Sequence, residues 1–252
     1  MMLIKNIFMN DSNEGIIGSL ASESITKQVL NYLTYKIINN DFKIGEYLPT
    51  EEALCKDLQI GRSSVREAIK VLETRGLVKK LRGKGVIVID DSISAASEML
   101  RIVLAQKKAT ISNLLEFRNA MEVKMAGLAA VHATQEDLDN LEYHLNLMKD
   151  KEYSVEAFAK YDYDFHKAIA SATRNNIFVL MMETMQSMLY DQIAYTLDSN
   201  FNPELSMHYY ESIFEAIKSG DPKIAKKAMT EHLSGTKVSI YDKGDYVPEY
   251  KF

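Results

Sequence analysis

Asp162 and His166 stand four residues apart in a stretch where Val155, Phe158, Phe165 and Ile169 recur at helical spacing, so both polar side chains project to one place on an apolar face. Ala225, Ala228, Met229, His232 and Thr236 form a second stripe, which turns His232 inward as well. A carboxylate and two imidazoles facing a helical interior are costly unless hydrogen bonds, a metal ion or a ligand satisfies them. Arg118, between Leu114 and Met121 on an apolar side, poses the same problem with the opposite sign. A buried guanidinium needs an anion, supplied by Glu122, by another acid of the chain or by a bound carboxylate. Tyr210 groups with Ile213, Phe214 and Ile217 and faces inward. His208, two residues and about 200° away around a helix, groups with Glu211, Ser212 and Glu215 on the polar side. His132 and His144 show no partners, and Met181, Met182, Met185 and Met188 read as core.

A second cluster is cationic. The chain carries a net charge of −5, yet Gly61 to Val86 holds eight Lys/Arg (Arg62, Arg66, Lys70, Arg75, Lys79, Lys80, Arg82, Lys84) against two acids, Glu67 and Glu73. That segment is +6 and the remainder about −11, which points to a local phosphate-binding surface on an otherwise acidic protein.

The elements that must position these groups follow from spacing and punctuation. Ile25, Val29, Leu33 and Ile37 recur every four residues, behind a cap at Ser22 or Ser24. Gly45 and Pro49 break the chain; Thr50 then caps a short helix with Glu51 and Glu52 in its first turn. Gly61 starts a third helix that buries Val65, Ala68, Ile69 and Leu72, leaves Arg62, Ser63, Arg66 and Lys70 outside, and ends at Gly76 as a left-handed cap. From Leu77 to Ile89, two β-rich runs flank Gly83-Lys84-Gly85, a hairpin signal. Three helices and a basic hairpin give the order of a winged helix-turn-helix, whose third helix enters the major groove and whose wing follows the backbone or minor groove. An arginine fork there can bond guanine O6 and N7, or a phosphate, at two points. Beyond Asp90-Asp91-Ser92, glycine and proline are scarce, and helices are expected near 94–106, 110–132, 135–150, 154–173, 176–199, 204–219 and 222–240. The fold class is mainly α: an N-terminal winged helix-turn-helix with a small β-hairpin wing, then an all-α bundle of about seven helices.

Leu48-Pro49-Thr50-Glu51, Gly61-Arg62-Ser63-Ser64-Val65-Arg66-Glu67-Ala68-Ile69, Leu72-Glu73-Thr74-Arg75-Gly76-Leu77-Val78 and Gly83-Lys84-Gly85-Val86 occur in order over residues 24–90 and closely resemble the GntR family of bacterial transcription regulators. The bundle resembles the FadR subfamily's FCD effector domain through Glu116-Phe117-Arg118 with Glu122, Asp162 with Phe165-His166 and Ile169, Ala172 with Asn175, Ala216-Ile217 with Gly220-Asp221, and Ala228 with His232-Leu233. The resemblance implies DNA contacts from Arg62 and Arg66 and a wing tip at Gly83 to Gly85. Thr50, Ser63, Ser64, Lys70, Arg82 and Lys84 complete the candidate DNA face. It further implies a divalent metal, such as zinc or nickel, on Asp162, His166 and His232, and an effector carboxylate held by Arg118; the inward-facing Tyr210 is a second candidate to bind the effector. There are three departures from the family pattern. Gly61 replaces a hydroxyl residue, Glu52 stands where many members carry an arginine, and Tyr210 takes the place of the fourth, histidine ligand.

The expected domains are an arm over 1–20, the winged domain over 21–91, the effector-binding and dimerisation domain over 92–240 and a tail over 241–252. No run approaches the roughly 18 apolar residues of a membrane span, and residues 1–20 do not pattern as a signal peptide. A single cysteine, Cys55, excludes an internal disulfide and fits the cytoplasm. The expected function is that of a ligand-responsive transcription regulator, a metabolite-controlled repressor rather than an enzyme. It binds double-stranded operator DNA as a homodimer because one recognition helix reads one half-site. Its effector shifts the population of DNA-competent states. Two other classes fit parts of this pattern. A metal-dependent hydrolase on Asp162, His166 and His232 would have Glu122 as its base; a nonspecific architectural DNA binder would bind random and operator sequences alike.

Overall fold

The computed structural model describes residues 24–149, 154–196 and 203–243. The expected arm over 1–20 and the tail beyond Lys243 lie outside these residues. The chain divides into two units after Ala96, and each has its own apolar core.

The N-terminal unit contains α1 (Ile25–Ile38), α2 (Glu51–Leu58), α3 (Arg62–Thr74), β1 (Val78–Leu81) and β2 (Gly85–Val88). Of the two possible caps for α1, Ser24 is used: its side chain accepts the Lys27 amide at 3.3 Å. Thr50 caps α2 by accepting from Ala53 N at 3.1 Å. Gly61 caps α3 without a side-chain bond. Val29, Leu33, Val65, Ala68 and Leu72 are fully buried where α1 and α3 pack together, with Leu54 and Leu58 of α2 beside them. The hairpin is antiparallel, with Val78 opposite Val88 and Leu81 opposite Gly85. Its turn is closed by Lys84 N donating to Leu81 O at 3.1 Å, with Gly83 at φ +73°. That is the third position of a type II turn, which requires positive φ. Sequence patterning did not reveal a further bridge. Tyr47 pairs with Ile87, Leu48 N donates to Val86 O at 2.8 Å, and Val88 N donates to Glu46 O at 2.8 Å, so the loop before α2 lines the outer edge of β2.

Gly76 ties the end of α3 to the end of the wing. Its φ is +69°, and the amides of Gly76 and Leu77 return to Glu73 O and Leu72 O at 3.0 Å, the pattern of a Schellman cap. A Cβ at this position would lie 2.3 Å from Asp91 O and 2.9 Å from Ser92 N, where the chain leaving β2 crosses behind the helix. Both the left-handed backbone and this crossing exclude any side chain.

Helix α4 (Ser92–Gln106) begins before the division at Ala96; α5 (Ile111–His132), α6 (Gln135–Met148), α7 (Val155–Ala172), α8 (Asn176–Thr184), α9 (Gln186–Thr196), α10 (Pro203–Lys218) and α11 (Pro222–Lys243) follow it. Capping boxes at Thr110 and Thr134 open α5 and α6. Helix α7 packs on α5, α6, α8 and α9, while α11 lies along α5 and is flanked by α10. Two expectations are corrected here. The single helix over 176–199 is two helices, α8 and α9, among the described residues. The break is at Met185, with φ −95° and ψ 2°, one residue after Thr184 turns its hydroxyl back onto Leu180 O at 2.8 Å, a bond that bends helices. The last helix runs to Lys243 rather than stopping at 240.

Replacing Gly76 with alanine is expected to destabilise the N-terminal unit by about 2 kcal/mol or more, from left-handed strain plus the backbone clash. Urea unfolding followed by circular dichroism measures it, and an unchanged midpoint would refute the account of the crossing.

Candidate functional site

Two sites take shape, one in each unit. In the N-terminal unit, α3 exposes Arg62, Ser63, Arg66 and Lys70 and half-buries Ser64, while Arg82, Gly83, Lys84 and Gly85 are all exposed at the wing. Thr50 is exposed, and its oxygen is engaged in capping α2. Glu51 was overlooked as anything but a first-turn acid. Its carboxylate lies 3.8 Å from Arg66 Nε and 3.6 Å from Lys80 Nζ, so it links α2, α3 and β1. These exposed pairs contribute about 0–1 kcal/mol each and position charge rather than hold the fold. Glu52 is exposed.

In the C-terminal unit, Arg118, Glu122, Asp162, His166, Gln192 and His232 are all buried, and Tyr210 is buried beside them. Arg118 Nε and Nη2 reach the two oxygens of Glu122 at 2.6 and 3.3 Å, and Nη1 donates to Gln192 Oε1 at 2.6 Å. Of the anions open to Arg118, the i,i+4 acid on its own helix, Glu122, is the one that pairs with it. Glu122 also lies 2.5 Å from His166 Nδ1, while His166 Nε2 is 3.1 Å from Asp162 Oδ1. Both contacts are ion pairs, though among the described residues neither ring nitrogen nor Asp162 Oδ1 makes an aligned hydrogen bond. His232 stacks at a tilt on His166, centroids 5.2 Å apart, and Tyr210 lies 4.9 Å from His232. His208 is exposed and outside the cluster, as its angular position predicts. His132 is exposed and His144 half-buried. Met182, Met185 and Met188 are core residues; Met185 and Met188 also line an apolar cavity of about 250 Å³ with Met181, Leu104 and Leu114.

The electrostatics follow from burial set against neighbours. Burial alone would lower the His166 pKa, but the carboxylates of Glu122 and Asp162 outweigh it and raise it to about 9. His232 goes the other way, to about 3, through burial and then the charge of His166. Burial would raise Glu122 and Asp162, yet both are held low, Glu122 by Arg118 then His166 and Asp162 by His166 then Arg118. Tyr210 is pushed well above the usual phenol value by burial and by the Asp162 carboxylate.

The donors fit a divalent cation. One ligand atom from each of Asp162, His166 and His232 falls within 4.8 Å of the others, and the unpaired atoms of Asp162 and His166 are what a metal would satisfy. One carboxylate with two imidazoles suits zinc, nickel and similar ions. Glu122 at Nδ1 then stands where a carboxylate orients a ligating imidazole.

A winged helix-turn-helix with an arginine-bearing third helix, joined to a helical unit with a polar centre, defines the class of ligand-controlled DNA-binding regulators. Residues 25–88 match the bacterial regulatory proteins of the GntR family, and residues 113–235 match the FCD domain. The HTH-type transcriptional regulator LutR of Bacillus subtilis is 30% identical over 203 residues, 79% of this chain and 93% of that protein. The Glc operon transcriptional activator of Escherichia coli is 26% identical over 82% of this chain and 85% of its own. The transcriptional repressor NanR of Escherichia coli is 29% identical over 85% of this chain and 84% of its own. A solved Streptococcus agalactiae GntR structure superposes with a TM-score of 0.66 at 24% identity, over 84% of this chain and 99% of that one, and shares the fold. The chain belongs to the GntR family of transcription regulators, with an FCD effector domain.

Glu122→Gln is expected to lose about 3–5 kcal/mol of stability, because it leaves Arg118 and His166 without their counter-charge. In metal-free protein the raised His166 pKa adds stability that is complete below pH 6.5 and lost as pH rises through about 9. Denaturant midpoints across that window should fall in the unmutated protein and fall less steeply in Glu122→Gln, where Asp162 alone still favours the charged imidazole; equal slopes would refute the pairing.

Proposed function

We propose that the protein is a metabolite-responsive transcriptional repressor, acting as a homodimer on a two-fold-symmetric operator, with a small carboxylate as its effector. The observation that carries this is the exposure of Arg62, Ser63, Arg66 and Lys70 on one face of α3, in a unit that also exposes Arg82 to Gly85 at the wing tip. Arg62 and Arg66 supply two-point base or phosphate contacts from the major groove. Thr50, Ser63, Ser64 and Lys70 bind phosphate, and Arg82 and Lys84 carry charge to the backbone, with Gly83 and Gly85 allowing close approach. Glu51 restrains Arg66 until DNA engages it.

In the effector domain, Asp162, His166 and His232 would hold a divalent ion such as zinc or nickel. When bound, that ion supplies a Lewis-acidic anchor for a carboxylate. Glu122 orients His166, Arg118 holds Glu122 in place, and Tyr210, kept neutral, donates to Asp162. Ligand binding shifts the equilibrium between states of different operator affinity. Repression is supported by likeness to NanR, and operator binding puts the work in the cytoplasm. The hydrolase alternative lacks a base, because Glu122 is locked between Arg118 and His166.

Operators selected from a random duplex library, tested by gel shift at fixed salt, should bind Arg62→Ala and Arg66→Ala more weakly by about 1–3 kcal/mol each, and Lys84→Ala should lower the salt slope by about one. Unchanged specific binding in both arginine variants would sink the assignment. Protein purified without chelator should carry about one divalent ion per chain by elemental analysis, lost in Asp162→Ala. Metal-free protein in both would show that the cluster satisfies itself.

A further inference from the structure

Gln192, on α9, is fully buried with its hydrogen bonding half finished. Its Oε1 accepts from Arg118 Nη1 at 2.6 Å, and its Nε2 has no partner. The orientation of this amide is chemically forced. A guanidinium carries only donors, so the amide oxygen must face it and the NH2 group must face away. A buried amide NH2 is disfavoured unless an acceptor reaches it. Gln192 joins the polar centre through Arg118, whose partner Glu122 reaches His166 on α7.

The charge balance says what kind of acceptor fits. Arg118 is already neutralised by Glu122. A divalent ion on Asp162, His166 and His232 leaves one net positive charge in the cluster, and one carboxylate cancels it. A second carboxylate would be buried without a counter-charge, which is strongly unfavourable. A neutral oxygen adds no charge and gains the amide N–H.

We propose that Gln192 is a specificity-determining residue of the effector site, and that its free amide N–H donates to a hydroxyl or carbonyl oxygen on a small monocarboxylate. The inference rests on the carboxylate-effector reading above. A site with a fixed, desolvated donor rejects ligands that lack the matching acceptor, because binding them leaves the donor unpaired. Arg118 has a positioning role here: it fixes the amide and leaves contact with the ligand to Gln192.

The test uses zinc-loaded full-length protein and isothermal titration calorimetry. The probes are four-carbon acids: butanoate, its 2-, 3- and 4-hydroxy derivatives, and succinate. The unmutated protein is expected to bind at least one hydroxybutanoate about tenfold or more tighter than butanoate, and succinate more weakly than that hydroxy acid. Gln192→Leu should abolish the preference, so that butanoate and the hydroxybutanoates bind within about threefold of one another whatever the common loss of affinity. Gln192→Glu keeps an acceptor for Arg118 but removes the donor; it should bind both acids weakly and without preference, and it keeps the test open if the leucine variant fails to fold. A hydroxyl preference retained in either folded variant overturns the role of Gln192 and leaves the carboxylate reading standing. No binding of any of these acids by the unmutated protein overturns both.

Discussion

Arg118 and Glu122 hold a full positive and a full negative charge out of water at the centre of the helical unit, and the polar chemistry around them follows from that constraint. Neither charge survives burial alone, so the pair must be close and further hydrogen-bonded. Their i,i+4 spacing on α5 supplies the closeness. The remaining capacity reaches outward in two directions. Glu122 extends to His166 on α7, and Arg118 extends to Gln192 on α9. Three helices are thereby registered by one chain of charge-assisted contacts. At the Gln192 end, the amide keeps an N–H without an acceptor among the described residues.

The N-terminal unit solves a different problem, keeping a basic helix and a basic hairpin in fixed relation although their like charges repel. Gly76 does it through the backbone. The Schellman cap reverses the chain directly into β1, and the strand leaving the wing passes within contact of the Gly76 α-carbon. Glu73, on the last turn of α3, accepts the Lys80 amide at 2.9 Å, and Glu51 sits between Arg66 and Lys80. Glu73 from the basic segment and Glu51 from α2 thus serve geometry, while Arg62, Lys70, Arg82 and Lys84 keep their charge for the solvent side.

Much of this was legible in the sequence wherever one local rule decided the outcome. Helical spacing gave the stripes of α1, α3 and α7, Thr50 announced the start of α2, and Gly76 announced the end of α3. The 100° rotation per residue separated buried Tyr210 from exposed His208. What escaped depended on partners distant in sequence. Gln192 carries no periodic signal; its importance comes from a bond to a residue 74 positions away. Arg118 was open between an internal acid and a ligand, and only packing decided for Glu122. The edge pairing of Tyr47 involves single bridging residues rather than a run. The break at Met185 has neither glycine nor proline to mark it, since a threonine hydroxyl and tertiary packing produce it.

Tyr210 shows how one residue can change what a shared scaffold binds. A histidine on this inward face would offer a neutral nitrogen to a metal. Burial and the Asp162 carboxylate push the phenol's pKa upward, so in the absence of a metal it stays protonated near neutrality and keeps a hydrogen to donate. On the reading proposed above, a cation on Asp162, His166 and His232 would have three protein donors in place of four. It would be less saturated than one held by a carboxylate and three imidazoles, and would leave more of its coordination to an incoming anion.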